Sequence, residues 1–319
     1  MKQIPEEWLD RVRKAKRAAL IAHVSPDGDT VGATLALRLA FLSLGKAVDV
    51  ICDGAVPADL AFLEGADAFI RPEDAANAYD LAIAVDVSDY KLLGKANAVF
   101  DAADCRLVID HHATNCGFGD VNFIRGGESA CCLLAYEAIC ALGAEITLPV
   151  ATCLMTGLST DTGHFQYPST TPEALAAASQ LRAAGADISM ITRRLYRTQP
   201  MRRVNLTRTA YQKMHFELGG RVGVIELTAQ DFEEAGCDPH ETGGLVNLAL
   251  EVEGVRMAVL ACEREGAVKC SLRAVEPDTV SDVAARFGGG GHAQAAGCTM
   301  HMPMKEAVSA VLAAMEEKL

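Results

Sequence analysis

His23, Asp27 and Asp29 fall within seven residues of one another, and three further segments offer the same kinds of side chain: Asp86, the run Asp110-His111-His112, and Asp161. Aspartate and histidine together suit divalent metals of the manganese type, and more than four such ligands point to two ions rather than one. Two ions about 3.5–4 Å apart are the usual apparatus for in-line hydrolysis of a phosphate ester.

Each segment has its own logic. In His23-Val24-Ser25-Pro26-Asp27-Gly28-Asp29, Pro26 and Gly28 shape a turn that can aim Asp27 and Asp29 into one pocket as the next helix begins. An ordinary Asp-rich turn with Asp29 as helix N-cap is the structural alternative. Asp86 follows an apolar run and could bridge two ions. Consecutive Asp110, His111 and His112 point in different directions, so one histidine can bind metal while the other faces substrate. A metal-bound histidine usually gains an acceptor behind it, and Asp110 or Asn115 could serve. Asp161 follows an apolar helix and could complete the set.

These side chains need a frame. Ala18–Val24, Val48–Cys52, Leu81–Val85 and Leu107–Ile109 read as short buried strands, and the last two each run into an aspartate. Thr30–Leu44, stopped by Gly45, reads as a helix, as do Ser129–Leu142, Pro149–Leu158 and Pro172–Ala184. The alternation predicts a parallel α/β sheet whose ligands bind beyond the carboxyl ends of the strands. Further on, Val222–Leu227, Arg256–Cys262 and Ala267–Arg273 read as strands. Val280–Phe287 reads as a short helix leading into Gly288-Gly289-Gly290-Gly291-His292, and Pro303–Lys318 as a closing helix. The expected division is 1–185, a helical connector over 186–219, and a second α/β domain over 220–319, smaller than the first, with a cleft between the two domains.

The chain has 319 residues and a formal net charge of -13. So acidic a protein is a poor general binder of long nucleic acid, because phosphate affinity comes largely from lysine and arginine. A small phosphorylated substrate in a metal-filled or locally positive cleft remains compatible. One stretch reverses the sign: from Ile188 to Phe216 there is no acidic residue, yet Arg193, Arg194, Arg197, Arg202, Arg203, Arg208 and Lys213 are present. A solvated helix face explains any one of them; together they could place positive potential beside the site. The 11 cysteines include no Cys-x-x-Cys pair, and Cys131, Cys132, Cys140 and Cys153 sit in apolar helical stretches, which suits a reduced cytoplasmic setting. Neither a targeting signal nor a membrane span is expected.

Taken jointly, His-x-x-x-Asp-x-Asp, then Asp, then Asp-His-His, then a late Asp resemble the DHH phosphoesterase superfamily, which includes RecJ-type exonucleases, family II inorganic pyrophosphatases and polyphosphatases. The resemblance implies a two-manganese centre, with magnesium or cobalt as alternatives. His23 and Asp27 would hold one ion, Asp29, His111 and Asp161 the other, and Asp86 would bridge them. His112 would contact the scissile phosphate or the leaving oxygen. The C-terminal half is similar to the DHHA1 domain: Gly288–Gly291, His292 and Ala295-Ala296-Gly297 match its glycine-rich signature. There Gly290, Gly291 and His292 would meet a phosphate, and Arg273 would grip it bidentately, with Arg264 a weaker candidate.

Size and domain pair most resemble the bacterial oligoribonuclease/pAp phosphatases, which implies very short RNA and 3'-phosphoadenosine 5'-phosphate (pAp) as substrates. Ala33, Gly127–Ala130 and Ala274 depart from the usual residues without removing a ligand. Long double-stranded DNA is not an expected partner, and a homodimer is left open. A cyclic-di-AMP or linear-dinucleotide phosphodiesterase is the enzyme alternative; a nucleotide-binding sensor is the non-enzyme one. Inorganic pyrophosphatase fits less well, because the glycine run and the arginines suit a larger ligand.

Overall fold

The structure is a computed structural model that describes residues 4–76 and 78–319. The chain forms two compact units, Met1–Thr198 and Gln199–Leu319. The basic stretch is divided between them.

The first unit runs α1 (Glu6–Lys14), β1 (Arg17–Ala22), α2 (Gly28–Ser43), β2 (Ala47–Ile51), β3 (Phe69–Ile70), β4 (Leu81–Val85), α3 (Asn97–Ala102), β5 (Arg106–Asp110), β6 (Val121–Ile124), α4 (Cys131–Ala141), α5 (Leu148–Asp161), α6 (Pro172–Ala183) and α7 (Ile188–Thr192). Its six strands pair in the order β3-β2-β1-β4-β5-β6, all parallel. The sheet is apolar on both faces. Leu20, Ile83 and Ile109 pack under α1, α2, α4 and α5, while Ile21, Ala84 and Val108 pack against Leu93 and Phe100. Both faces covered is what continuous apolar strands require.

Strand β1 has β2 on one side and β4 on the other. Chain order therefore reverses between β1 and β4, which opens a crevice beyond their carboxyl ends. His23 and Asp27 follow β1, Asp86 follows β4, and Asp110 ends β5.

Helix α1 was not expected. Its Trp8, Leu9 and Val12 form a buried stripe at helical spacing, and the Trp8 indole donates to the Val108 carbonyl at 3.2 Å. The strands β3 and β6 and the helix α3 were not expected either, and other differences are at element ends. Helix α5 runs three residues beyond Leu158, so Asp161 is its last residue rather than part of the turn that follows. Of the four cysteines placed in apolar helices, Cys140 is exposed and the other three are buried.

Helices α2 and α5 cross with their backbones almost touching. A Cβ on Gly32 would lie 2.5 Å from the Cys153 carbonyl oxygen, and one on Gly157 would lie 2.3 Å from Cys132 Sγ and 2.8 Å from Asp29 Oδ1. This contact seats Asp29 against the neighbouring helices.

The second unit runs α8 (Met201–Lys213), β7 (His215–Glu217), β8 (Val222–Leu227), α9 (Ala229–Ala235), α10 (Asn247–Leu250), β9 (Met257–Arg264), β10 (Ala267–Ala274), α11 (Ser281–Arg286), β11 (Gly290–His292), β12 (Ala295–Met300) and α12 (Met304–Glu316). Its sheet has the order β11-β12-β10-β9-β8-β7 and is mixed, with β8 and β9 parallel and the other pairs antiparallel. The glycine run is therefore not simply a loop: Gly290–His292 is an edge strand. No described helix is long and apolar enough to cross a membrane.

Overpacking a tight core contact costs about 1–3 kcal/mol. Gly157→Ala is expected to lower stability by about that much, read as a shift in the urea midpoint. An unchanged midpoint would contradict the close crossing.

Candidate metal centre

Asp27 caps α2: its Oδ1 accepts from the backbone N–H of Asp29 at 3.0 Å and Thr30 at 3.1 Å. The cap is thus Asp27, not Asp29, and the satisfied amides set the entry of the helix. The Thr30 hydroxyl donates to the Val85 carbonyl at 2.8 Å, tying the start of α2 to the end of β4.

Asp29 is fully buried. Its carboxylate accepts from the amides of Cys131 at 2.5 Å and Cys132 at 2.9 Å. These are the first turn of α4, whose own N-cap residue, Ala130, makes no side-chain cap bond. Asp29 supplies that cap from a distance, and the helix terminus favours its negative charge. Burial and the Asp161 charge nevertheless push its pKa up to about 7.

Asp86 takes a left-handed backbone conformation, φ 60°. A non-glycine residue there carries strain that the surroundings must hold. Its amide donates to the Ile109 carbonyl at 2.9 Å. The two carboxylate oxygens point to different neighbours: Oδ2 lies 3.9 Å from His23 Nε2, and Oδ1 lies 3.5 Å from His111 Nε2. Oδ1 is buried and has no hydrogen-bond partner. Burial, then the Asp29 charge, drive its pKa well upward.

His111 Nδ1 contacts the Glu128 carbonyl oxygen at 2.9 Å, which fixes Nδ1 as the donor and frees Nε2. The acceptor is thus a backbone carbonyl, neither Asp110 nor Asn115. Nε2 faces Asp161 at 3.2 Å, Asp86 at 3.5 Å and Asp29 at 3.8 Å. Burial opposes charge on His111, but the three carboxylates outweigh it and its pKa is pushed up to about 10. Asp110 and Asn115 act together on the other histidine. Asp110 Oδ1 accepts from His112 Nδ1 at 2.8 Å, and Oδ2 from Asn115 Nδ2 at 2.7 Å. With Nδ1 spent, the half-exposed His112 has its other ring edge left for a ligand.

Three groups of donors come close enough to share an ion: His23, Asp27 and Asp86; Asp29, His111 and Asp161; and Asp86, His111 and His112. The first two use separate residues, with Asp86 reaching toward both; in the third, His112 Nδ1 lies 3.6 Å from Asp86 Oδ1 and is bonded to Asp110. Clustered buried carboxylates with one orphaned oxygen fit divalent cations well. Two like charges about 4 Å apart repel by about 4 kcal/mol at an effective dielectric near 20, more than a hydrogen bond returns.

In the second unit, Arg273 and His292 both pair with Ala295, on opposite sides of β12. They occupy one row on one sheet face, about 10 Å apart at the backbone. Arg273 Nη1 donates to the Leu272 carbonyl at 2.9 Å. Gly291 has φ 144°, and a Cβ there would lie 2.4 Å from the Ala295 oxygen. Gly290 has nothing within 4 Å of a built Cβ, which leaves open space beside its backbone. Arg264 is instead turned to Thr242, at 2.9 Å.

The DHH family N-terminal domain matches residues 17–158, and the DHHA1 domain matches 219–319. The bifunctional oligoribonuclease and PAP phosphatase NrnA of Thermus thermophilus is 32% identical over 302 residues, 94% of this chain and 89% of that protein. The chain belongs to the DHH family. The NrnA of Bacillus subtilis is 23% identical over 282 residues, 88% of each chain. Among solved structures, an exopolyphosphatase-related protein of Bacteroides fragilis superposes with a TM-score of 0.92 at 27% identity, covering 99% of this chain and 98% of that one.

Sequence reasoning missed the backbone groups that finish this DHH centre, the Glu128 carbonyl and the Cys131 and Cys132 amides. Residue type carries no signal for such atoms.

Asp86→Asn keeps the shape and removes the charge. In calorimetry, the metal-free variant is expected to melt at or above the wild-type temperature, while the rise induced by Mn2+ disappears. A marked loss of metal-free stability would contradict the repulsive cluster.

Proposed function

We propose that this chain is a metal-dependent hydrolase of phosphoester bonds that acts on very short RNA and on pAp, with manganese as its cation. The observation that carries the reading is Asp86, whose two oxygens address separate donor sets while one stays buried and unpartnered. NrnA relatives that align along nearly the whole chain support the substrate class.

His23, Asp27 and Asp86 would hold one cation, and Asp29, His111, Asp161 and Asp86 the other. Bound there, the pair supplies Lewis acidity toward the phosphoryl oxygens and lowers the pKa of water so that a nucleophile exists at neutral pH. The chain's own groups do the rest. Glu128 fixes the His111 tautomer, and the Cys131 and Cys132 amides hold Asp29 in place. His112, oriented by Asp110, is set to donate toward the phosphate or the leaving oxygen as charge develops. In the second unit, Arg273 and His292 would grip a phosphate of the substrate, with the open backbone at Gly290 and Gly291 allowing close approach. The unpaired state of the cysteines suits a reducing compartment, and we place the protein in the cytoplasm.

With Mn2+ present, pAp and 5'-phosphorylated RNAs of two to five nucleotides are expected to be hydrolysed in preference to cyclic-di-AMP and pyrophosphate. Faster turnover of cyclic-di-AMP would replace this reading with messenger degradation. His112→Ala is expected to lower kcat by about 100-fold or more with Mn2+ binding retained. A kcat within a few fold of wild type would remove His112 from the chemistry.

A further inference from the structure

Beyond the metal donors, the segment after Asp161 has an unusual build. Gly163, His164 and Phe165 are all left-handed, with φ 54°, 59° and 64°. His164 pins this bend from both ring nitrogens: Nδ1 lies 3.0 Å from the Ser159 hydroxyl and Nε2 lies 3.1 Å from the Thr192 hydroxyl. Two tyrosines cover it. The Tyr167 ring lies directly on Gly163, where a Cβ would come within 2.4 Å of the ring. The Tyr196 ring sits 5.5 Å from the His164 ring, and its hydroxyl donates to the Ser159 carbonyl at 3.0 Å. Both rings thus pack on the few residues that flank Asp161.

Apolar faces of this size are normally buried, yet Tyr167 is 55% exposed and Tyr196 is 38% exposed. Tyr196 belongs to a π-helical turn, Arg193–Arg197, in which Arg193, Arg194 and Arg197 are also exposed. Among the described residues none of these three arginines has an ion-pair partner, in a chain of net charge -13. Aromatic faces beside unneutralised arginines match a single-stranded nucleic acid, whose bases stack while its phosphates are attracted. An inorganic phosphate chain would have no use for the rings.

We propose that Tyr167 and Tyr196 form a stacking subsite for a nucleobase of the substrate whose phosphate lies at the metal centre, with Arg193, Arg194 and Arg197 supplying positive potential beside it. The proposal rests on the hydrolytic reading above and deepens it. It says how the first unit would distinguish a nucleotide from a bare phosphoester. Stacking on an aromatic side chain is worth roughly 5- to 150-fold in binding per base.

The test uses the full chain loaded with Mn2+. Its substrates are a 5'-phosphorylated adenine dinucleotide and the same backbone carrying abasic units in place of both nucleosides. The ratio of kcat/KM on the two substrates is expected to fall at least about fivefold in Tyr167→Ala and Tyr196→Ala. It should hold in Tyr196→Phe, which keeps the ring, and in Tyr211→Ala, which removes an equally exposed tyrosine of α8. Leucine at positions 167 and 196 serves if the alanine variants fail to fold. An unchanged ratio in the variants without a ring overturns the proposal. So does an equal fall in Tyr196→Phe, which would assign the effect to the hydroxyl bond with Ser159. A binding readout separates this inference from the hydrolytic reading. A dinucleotide containing 2-aminopurine should be quenched on binding the wild type and less so on binding the alanine variants. Quenching without turnover would leave the subsite standing and remove the hydrolysis. Turnover without quenching would do the reverse.

Discussion

The structure depends on one electrostatic constraint: Asp29 and Asp86 are carboxyl side chains buried beside each other at the reversal point of a parallel sheet. Burial first, then the charge of Asp161 on Asp29 and of Asp29 on Asp86, oppose their ionisation. The surrounding chain reduces that cost only in part. The first turn of α4 gives Asp29 two amides, whereas Asp86 Oδ1 receives nothing. His111 answers the imbalance by taking up positive charge among three carboxylates. A divalent cation would do the same with more charge, so the centre is built around a need that the protein alone does not meet.

That constraint explains features of the packing that would otherwise be unrelated. Asp29 reaches the amides of α4 only because Gly32 and Gly157 let α2 and α5 approach at backbone distance. Asp86 turns toward both donor sets only by adopting a left-handed conformation, which its amide bond to Ile109 helps hold. Asp110 is also buried, but His112 and Asn115 satisfy its carboxylate, so its pKa is lowered in spite of burial. Two buried aspartates at the carboxyl ends of neighbouring strands thus behave oppositely, and the presence or absence of donors decides which one awaits a cation.

Much of this was legible in the sequence because period and residue type carry it. Apolar runs ending in aspartate marked β4 and β5, and Gly45 marked the end of α2. The order of the donor segments carried the family resemblance. What was not legible is of two kinds. Helix α1 has only Trp8, Leu9 and Val12 as its apolar stripe among charged residues, so its pattern is weak until the sheet is there to cover it. The acceptor for His111 is a backbone carbonyl, the donors to Asp29 are backbone amides, and the strand at Gly290–His292 exists because β12 pairs with it. Long-range backbone contacts leave no trace in residue identity. The structural alternative for this turn named Asp29 as the cap of α2, where Asp27 caps it, for a related reason. Asp27 and Asp29 both suit a cap, and the choice depends on which carboxylate the neighbouring helix α4 removes.

The most direct test is to count and locate the cations, by anomalous scattering from crystals of the Mn2+-loaded protein. Two manganese ions should be found in the first unit, one on His23, Asp27 and Asp86 and the other on Asp29, His111 and Asp161, with Asp86 touching both. A single ion, or one held by Asp86, His111 and His112 with Asp29 and Asp161 left unligated, would contradict the arrangement of charge described here.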